Sequence, residues 1–98
     1  SPINSITTTD YKYNTDGTIE QWGVGTTVSI AAGNYNAQTL VFPKAFPNAC
    51  ISASAGNYIT AGTLVCTCSF TNTSITVITR NFESSTYSGT PTYRVIGY

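Results

Sequence analysis

The sequence predicts an all-β domain, an antiparallel β-sandwich of about seven short strands. Three observations predict it. Apolar and polar residues alternate over short runs, most clearly from Thr63 to Phe70, which is the period of a strand with one face covered. No helical spacing of apolar residues persists beyond one turn, and turn residues punctuate the chain at short intervals, the pattern of a sandwich or flattened barrel. Thr, Tyr and Val are abundant while only 8% of residues are charged, a composition that favours strands over a long helix.

The elements follow in order. Residues 1–14 read as an extended leader in which Tyr11 and Tyr13 alternate with Lys12, and residues 15–98 as the folded domain. Asp16-Gly17 is a turn signal, Thr18 to Gly23 the first strand and Thr26 to Ala31 the second. Gly33-Asn34-Tyr35-Asn36 is a turn cluster before a third strand at about Gln38 to Phe42. Pro43 stops that strand because proline has no N–H to give to a ladder. Phe46-Pro47-Asn48 turns the chain: proline pre-sets one backbone angle and asparagine tolerates the next. A strand near Ala49 to Ala55 leads into the Gly56–Gly62 loop. Thr63 to Phe70 and Ser74 to Arg80 form a hairpin around Thr71-Asn72-Thr73. A polar loop at Glu83 to Thr90 precedes the last strand, Thr92 to Tyr98. The alternation assigns Leu40, Phe42, Phe46, Leu64, Cys66, Phe70, Ile75 and Val77 to the core.

Ninety-eight residues make one domain, and a chain of this size buries roughly two-thirds of the surface that it exposes when unfolded. Lys12, Lys44, Arg80 and Arg94 balance Asp10, Asp16, Glu20 and Glu83, so there is no basic footprint for nucleic acid or an anionic membrane. The polar surface is instead Thr, Ser, Asn and Tyr. No run of about 18 apolar residues is present, so no transmembrane helix is expected, and the stretch from Ser1 onward does not resemble a signal peptide. The polar start without an initiator methionine suggests a fragment of a longer chain; the other reading is a processed secreted protein.

Cys50, Cys66 and Cys68 are odd in number, which argues against a disulfide framework. Cys66 and Cys68 stand two apart on a strand and face one side, a poor geometry for bonding to each other. With no histidine and no second cysteine pair, a metal site lacks ligands. The expected role is that of small buried apolar side chains, reduced in a bacterial cytosol.

No catalytic constellation is visible. A Ser-His-Asp or Cys-His mechanism needs a histidine, and the chain has none. A glycosidase needs two carboxylates about 5–10 Å apart, and Asp10, Asp16, Glu20 and Glu83 are the only candidates. The turn accounts for Asp16 and the outward side of a strand for Glu20. Gly23-Val24-Gly25 is not a phosphate loop, since no helix follows. The chain is therefore expected not to be an enzyme and to use no cofactor.

Three motifs stand in order along the chain: Gly17-Thr18-Ile19-Glu20-Gln21-Trp22-Gly23, then Phe42-Pro43-Lys44-Ala45-Phe46-Pro47-Asn48-Ala49-Cys50, then Ile96-Gly97-Tyr98. Together they resemble the C-terminal tip domain of bacteriophage tail-fibre proteins. The resemblance implies a small β-sandwich frame, a homotrimer, and a leader at residues 1–14 that comes off the fibre shaft. It places Trp22 in the core or at a subunit interface rather than on a sugar-stacking platform. It implies a tip that binds a host bacterial surface receptor, either a glycan such as lipopolysaccharide or an outer-membrane protein. The implied partners are that receptor, other copies of the chain and the shaft, without nucleic acid or membrane insertion. The implied location is the distal end of the tail fibre on the virion, after folding in the bacterial cytoplasm. Three alternatives stay open: a trimerisation cap without receptor contact, the fibre tip of a contractile bacteriocin, and a free-standing secreted lectin.

Tyr35, Tyr58 and Tyr87 each sit in a Gly/Asn/Ser-rich segment, the composition of a recognition loop, where a rigid amphipathic ring costs little entropy to immobilise. With Asn34, Asn57 and Glu83 they make the candidate receptor-binding set. Asparagine amides and tyrosine hydroxyls both donate and accept, which suits sugar hydroxyls. The Tyr58 and Tyr87 loops are expected to dominate.

Overall fold

A computed structural model of the chain describes residues 9–58 and 64–98. It holds eight strands: β1 (Asp10–Tyr13), β2 (Ile19–Val24), β3 (Val28–Ile30), β4 (Tyr35–Val41), β5 (Cys50–Tyr58), β6 (Leu64–Phe70), β7 (Ser74–Asn81) and β8 (Tyr87–Gly97). The described residues contain no helix, and every strand pairing is antiparallel. One sheet runs β1-β2-β8, with β3 and β5 also paired to β8; the other runs β4-β7-β6.

The predicted hairpin is β6 and β7, closed by the Thr71 N–H on the Ser74 carbonyl at 2.9 Å. Several elements are longer than the alternation predicts. β1 is hydrogen-bonded to β2, so residues 10–13, expected in the leader, form a sheet edge. β4 begins at Tyr35, β5 runs through Asn57 to Tyr58, and β8 begins at Tyr87. Much of the three segments expected as loops is therefore strand. Pro91 hides the early start of β8. Its carbonyl accepts the Gly25 N–H at 2.7 Å, so its nitrogen faces the same side, where β2 has already ended. A missing N–H costs nothing there.

The core lies between the sheets: Ile19, Phe42, Phe46, Ile75, Val77, Tyr93 and Val95. Phe42 packs edge-on against Phe46 at 5.5 Å and tilted against Tyr93 at 5.6 Å; truncating such a ring costs about 3–5 kcal/mol. Four of the eight expected core residues are fully buried. Leu40, Leu64 and Cys66 are half-buried. Phe70, the last residue of the edge strand β6, is 40% exposed. The three cysteines are free and half-buried rather than buried, and burial, together with nearby Cys68, holds the Cys50 thiol above its usual range. Trp22 is not in the core. It alternates with the inward Gln21 and Gly23 and so sits, half-buried, on the outer face of the larger sheet.

The three motifs meet at one end of the sandwich. Gln21 is fully buried; its Nε2 donates to the Lys44 carbonyl at 2.6 Å and its Oε1 accepts the Lys44 N–H at 3.0 Å. A side chain at Gly23 would collide with the Tyr93 ring, and one at Gly97 with the Phe46 ring and the Ala49 carbonyl. Asn48 and Ala49 both donate to the Tyr98 carbonyl, and Tyr98 donates back to Ala49.

Tyr93 supplies a test of this core. Its hydroxyl is buried with no hydrogen-bond partner among the described residues, and burial holds its phenol above the ordinary value. The folded state then keeps the phenolic proton more tightly than the unfolded chain. The resulting stabilisation is complete below about pH 10 and is lost as pH rises through the raised folded value. Tyr93→Phe is expected to melt within about 1 kcal/mol of the parent at neutral pH, since an unpartnered hydroxyl contributes little. It should also lose less stability than the parent above about pH 10, as thermal melts at both pH values will show.

A candidate recognition end

The opposite end of the sandwich gathers the predicted recognition segments. Register places Tyr35 against Arg80, Ile30 against Tyr87 and Tyr58 against Thr90. The β3–β4 turn, the end of β5 and the β7–β8 turn therefore lie together, which spacing along the chain does not reveal.

Asn81 organises this end. It closes β7 and is almost fully buried. Its Nδ2 donates to the Ile30 and Ser85 carbonyls, both at 2.8 Å, and its Oδ1 accepts the Glu83 N–H at 2.8 Å. Its backbone N–H donates to the Asn34 carbonyl and its carbonyl accepts the Gly33 N–H, both at 2.9 Å. Gly33 adopts a φ of 74°, a left-handed conformation that glycine takes without strain. One residue thus ties both turns to a rigid strand, its side chain holding the β7–β8 turn and the end of β3 and its backbone the β3–β4 turn.

Around this hub the predicted residues separate. Asn34 and Tyr35 are exposed, Tyr35 by 59%, with the Arg80 guanidinium 5.1 Å from its ring centroid. Contacts of this kind contribute about 0.5–1 kcal/mol at exposed sites. Glu83 and Tyr87 are half-buried at the rim. Asn57 faces inward: its Nδ2 donates to Cys66 Sγ at 2.6 Å and Thr79 Oγ1 at 2.9 Å. It is a half-buried inter-sheet residue, and no loop there presents it. The Tyr58 side chain and residues 59–63, most of the expected Gly56–Gly62 loop, lie outside the described residues. Two members of the exposed rim were not expected from sequence, Arg80 and Phe82, the latter 73% exposed. Phe82 carries a legible signal, a lone aromatic after a strand has ended and before a polar run.

A family model described as tail fiber protein gp53-like, C-terminal, matches residues 12–98. The chain belongs to this tail-fibre family. Among solved structures it is similar to a C-terminal fragment of the P. aeruginosa R1 pyocin fibre, with a TM-score of 0.73, 24% identity, and coverage of 85% of this chain and 24% of that one. It is also similar to an N-truncated R1-type pyocin tail fibre, at a TM-score of 0.74 and 21% identity over 92% of this chain and 85% of that one. A P. aeruginosa R2 pyocin fibre matches at a TM-score of 0.63 and 21% identity, over 96% and 25% of the two chains. The likeness is one of fold, and the chain spans about a quarter of the longer R1 and R2 fibre fragments. No curated protein sequence matches it. The fibre family and the all-β fold implied by the sequence motifs are thus established.

Asn81→Ala removes three side-chain hydrogen bonds, those to the Ile30 and Ser85 carbonyls and that from the Glu83 N–H. The expected loss is about 1–3 kcal/mol, with faster exchange of the Glu83 amide, whose bond to Asn81 Oδ1 is lost, while the Gly33 amide keeps its backbone acceptor. Hydrogen exchange by NMR checks this, and unchanged protection of the Glu83 amide would show that the side chain does not hold the β7–β8 turn.

Proposed function

We propose that this domain is a fibre tip that attaches to a receptor on the host bacterial surface, a glycan or an outer-membrane protein, and that it acts by adhesion rather than catalysis. The observation that carries this is the Asn81-braced end, where Tyr35, Phe82 and Arg80 stand exposed on a rigid frame beside Asn34, Glu83 and Tyr87. Rings that lose little entropy, bordered by groups that donate and accept, are what recognition of a hydroxylated surface requires. Assembly as a homotrimer at the end of a fibre would multiply weak contacts through effective concentration. Family membership supports the fibre setting, and the likeness to pyocin fibres supports a bacteriocin particle as much as a virion.

One observation favours a second reading, a trimerising cap. β1 runs from the side of the Tyr35 end toward the motif end, so the chain enters the sheet from the side of the candidate site. Contacts there could then serve neighbouring subunits or the shaft.

Attachment separates the two. Replacing Tyr35, Phe82 and Tyr87 together by alanine is expected to lower adsorption to host cells by about tenfold or more, with the trimer unchanged in light scattering. Full adsorption by that variant, or its dissociation into monomers, would instead favour the cap.

A further inference from the structure

Half of the chain's charged residues and its single tryptophan share one sheet face. Register places Asp10, Trp22, Arg94 and Ser54 in one row across β1, β2, β8 and β5, and Lys12, Glu20, Ile96 and Ser52 in the next. Residues paired directly across antiparallel strands point to the same side. In a sequence with four basic and four acidic residues, this places two of each around one spot. The long side chains stand on β2 and β8, whereas β5 contributes only serines here, so the face steps down toward β5. The step is a groove of about 260 Å³ lined by Glu20, Ser52, Ser54, Arg94 and Ile96.

The polar groups of the groove are held but not used up. Glu20 accepts from Asn14 Nδ2 at 3.2 Å, while Lys12 Nζ and Arg94 Nη1 stand 3.9 and 4.0 Å from its oxygens, beyond hydrogen-bond range. The carboxylate is fixed in place and keeps open acceptor sites. The Arg94 guanidinium lies 5.9 Å from the Trp22 ring centroid, and its side chain is 67% exposed.

From this we propose that the groove binds one neutral sugar residue of a surface glycan. Adjacent ring hydroxyls would donate to Glu20 and accept from Arg94, the serine hydroxyls would do either, and Ile96 would cover a C–H face. The four charges of the face cancel, so an anionic headgroup gains no net attraction. The volume lies below the roughly 300–1,000 Å³ of sites for drug-sized ligands, which suits a single ring. The inference rests on the reading that the protein adheres to a glycan, and it adds a contact away from the Tyr35 end.

Trp22 makes the test direct, because it is the only tryptophan and touches the groove through Arg94. The purified protein is titrated with methyl glycosides of glucose, galactose and rhamnose, and separately with inorganic phosphate, while tryptophan emission is followed. At least one glycoside is expected to shift the emission saturably, and phosphate is not. Ser54→Tyr fills the groove from an exposed strand position and should weaken the response by about tenfold or more at an unchanged melting temperature; Glu20→Gln should weaken it likewise. Silence to every glycoside, a response to phosphate alone, or an undiminished response in Ser54→Tyr overturns the proposal. Loss of self-association in Ser54→Tyr also overturns it, and assigns the face to contact between copies. Host-cell adsorption keeps the two readings apart: if Ser54→Tyr adsorbs normally while the Tyr35, Phe82 and Tyr87 variant does not, the groove is excluded and receptor binding stands.

Discussion

The Gln21 amide is the constraint on which the rest of the fold depends. It is fully buried, and both of its polar atoms meet the backbone of Lys44. A half-satisfied amide in that position would cost more than an apolar residue, so the pair fixes the distance and angle between β2 and the proline corner. The corner then sets Phe46 against Gly97, where only hydrogen fits, and binds the backbone of Tyr98. Three motifs that lie far apart in sequence are therefore a single contact. Each glycine in it yields space to a ring from another motif or from β8.

The two sheets have different surfaces. The outer face of β4-β7-β6 presents Ala37, Thr39, Val41, Thr67, Ser69 and Ile78 with Arg80 as its lone charge among the positions in register. The outer face of the larger sheet carries the cluster around Glu20 and Arg94. A chain with so few charges has little long-range field to steer encounters. The receptor recognition proposed above would therefore rest on short-range contact, by rings, hydroxyls and amides held on rigid strands.

Strands with one clear inward face were legible in the sequence. The β6–β7 hairpin, the Phe42–Phe46 corner and the inward Ile75 and Val77 follow from period-two alternation and from proline and asparagine chemistry. Strand ends were not, for identifiable reasons. Tyr35, Asn57 and Tyr87 are flanked by glycine, asparagine and serine, which read as loop, yet pairing with β7, β8 and β3 respectively carries the strands through them. Pro91 obscured β8 because its tolerance depends on where β2 ends, a tertiary fact. The core half of the expectation for Trp22 failed because an aromatic residue in a strand can face either side, and the buried position beside it went to Gln21. Of the recognition set, the proximity of Asn34, Tyr35, Glu83 and Tyr87 required the topology, and the hub that unites them, Asn81, looks in sequence like any strand-end asparagine.

β8 gives the architecture a temporal consequence. Three strands, β2, β3 and β5, hydrogen-bond to it, and all three precede it in the chain. During synthesis β2 has only β1 beside it, β3 and β5 have no sheet partner in place, and the larger sheet can close only once β8 has been made. Contacts across such long separations slow folding. They also make it a checkpoint: a translation product interrupted before β8 lacks the centre of the larger sheet, so folding of this domain reports that β8 has been made.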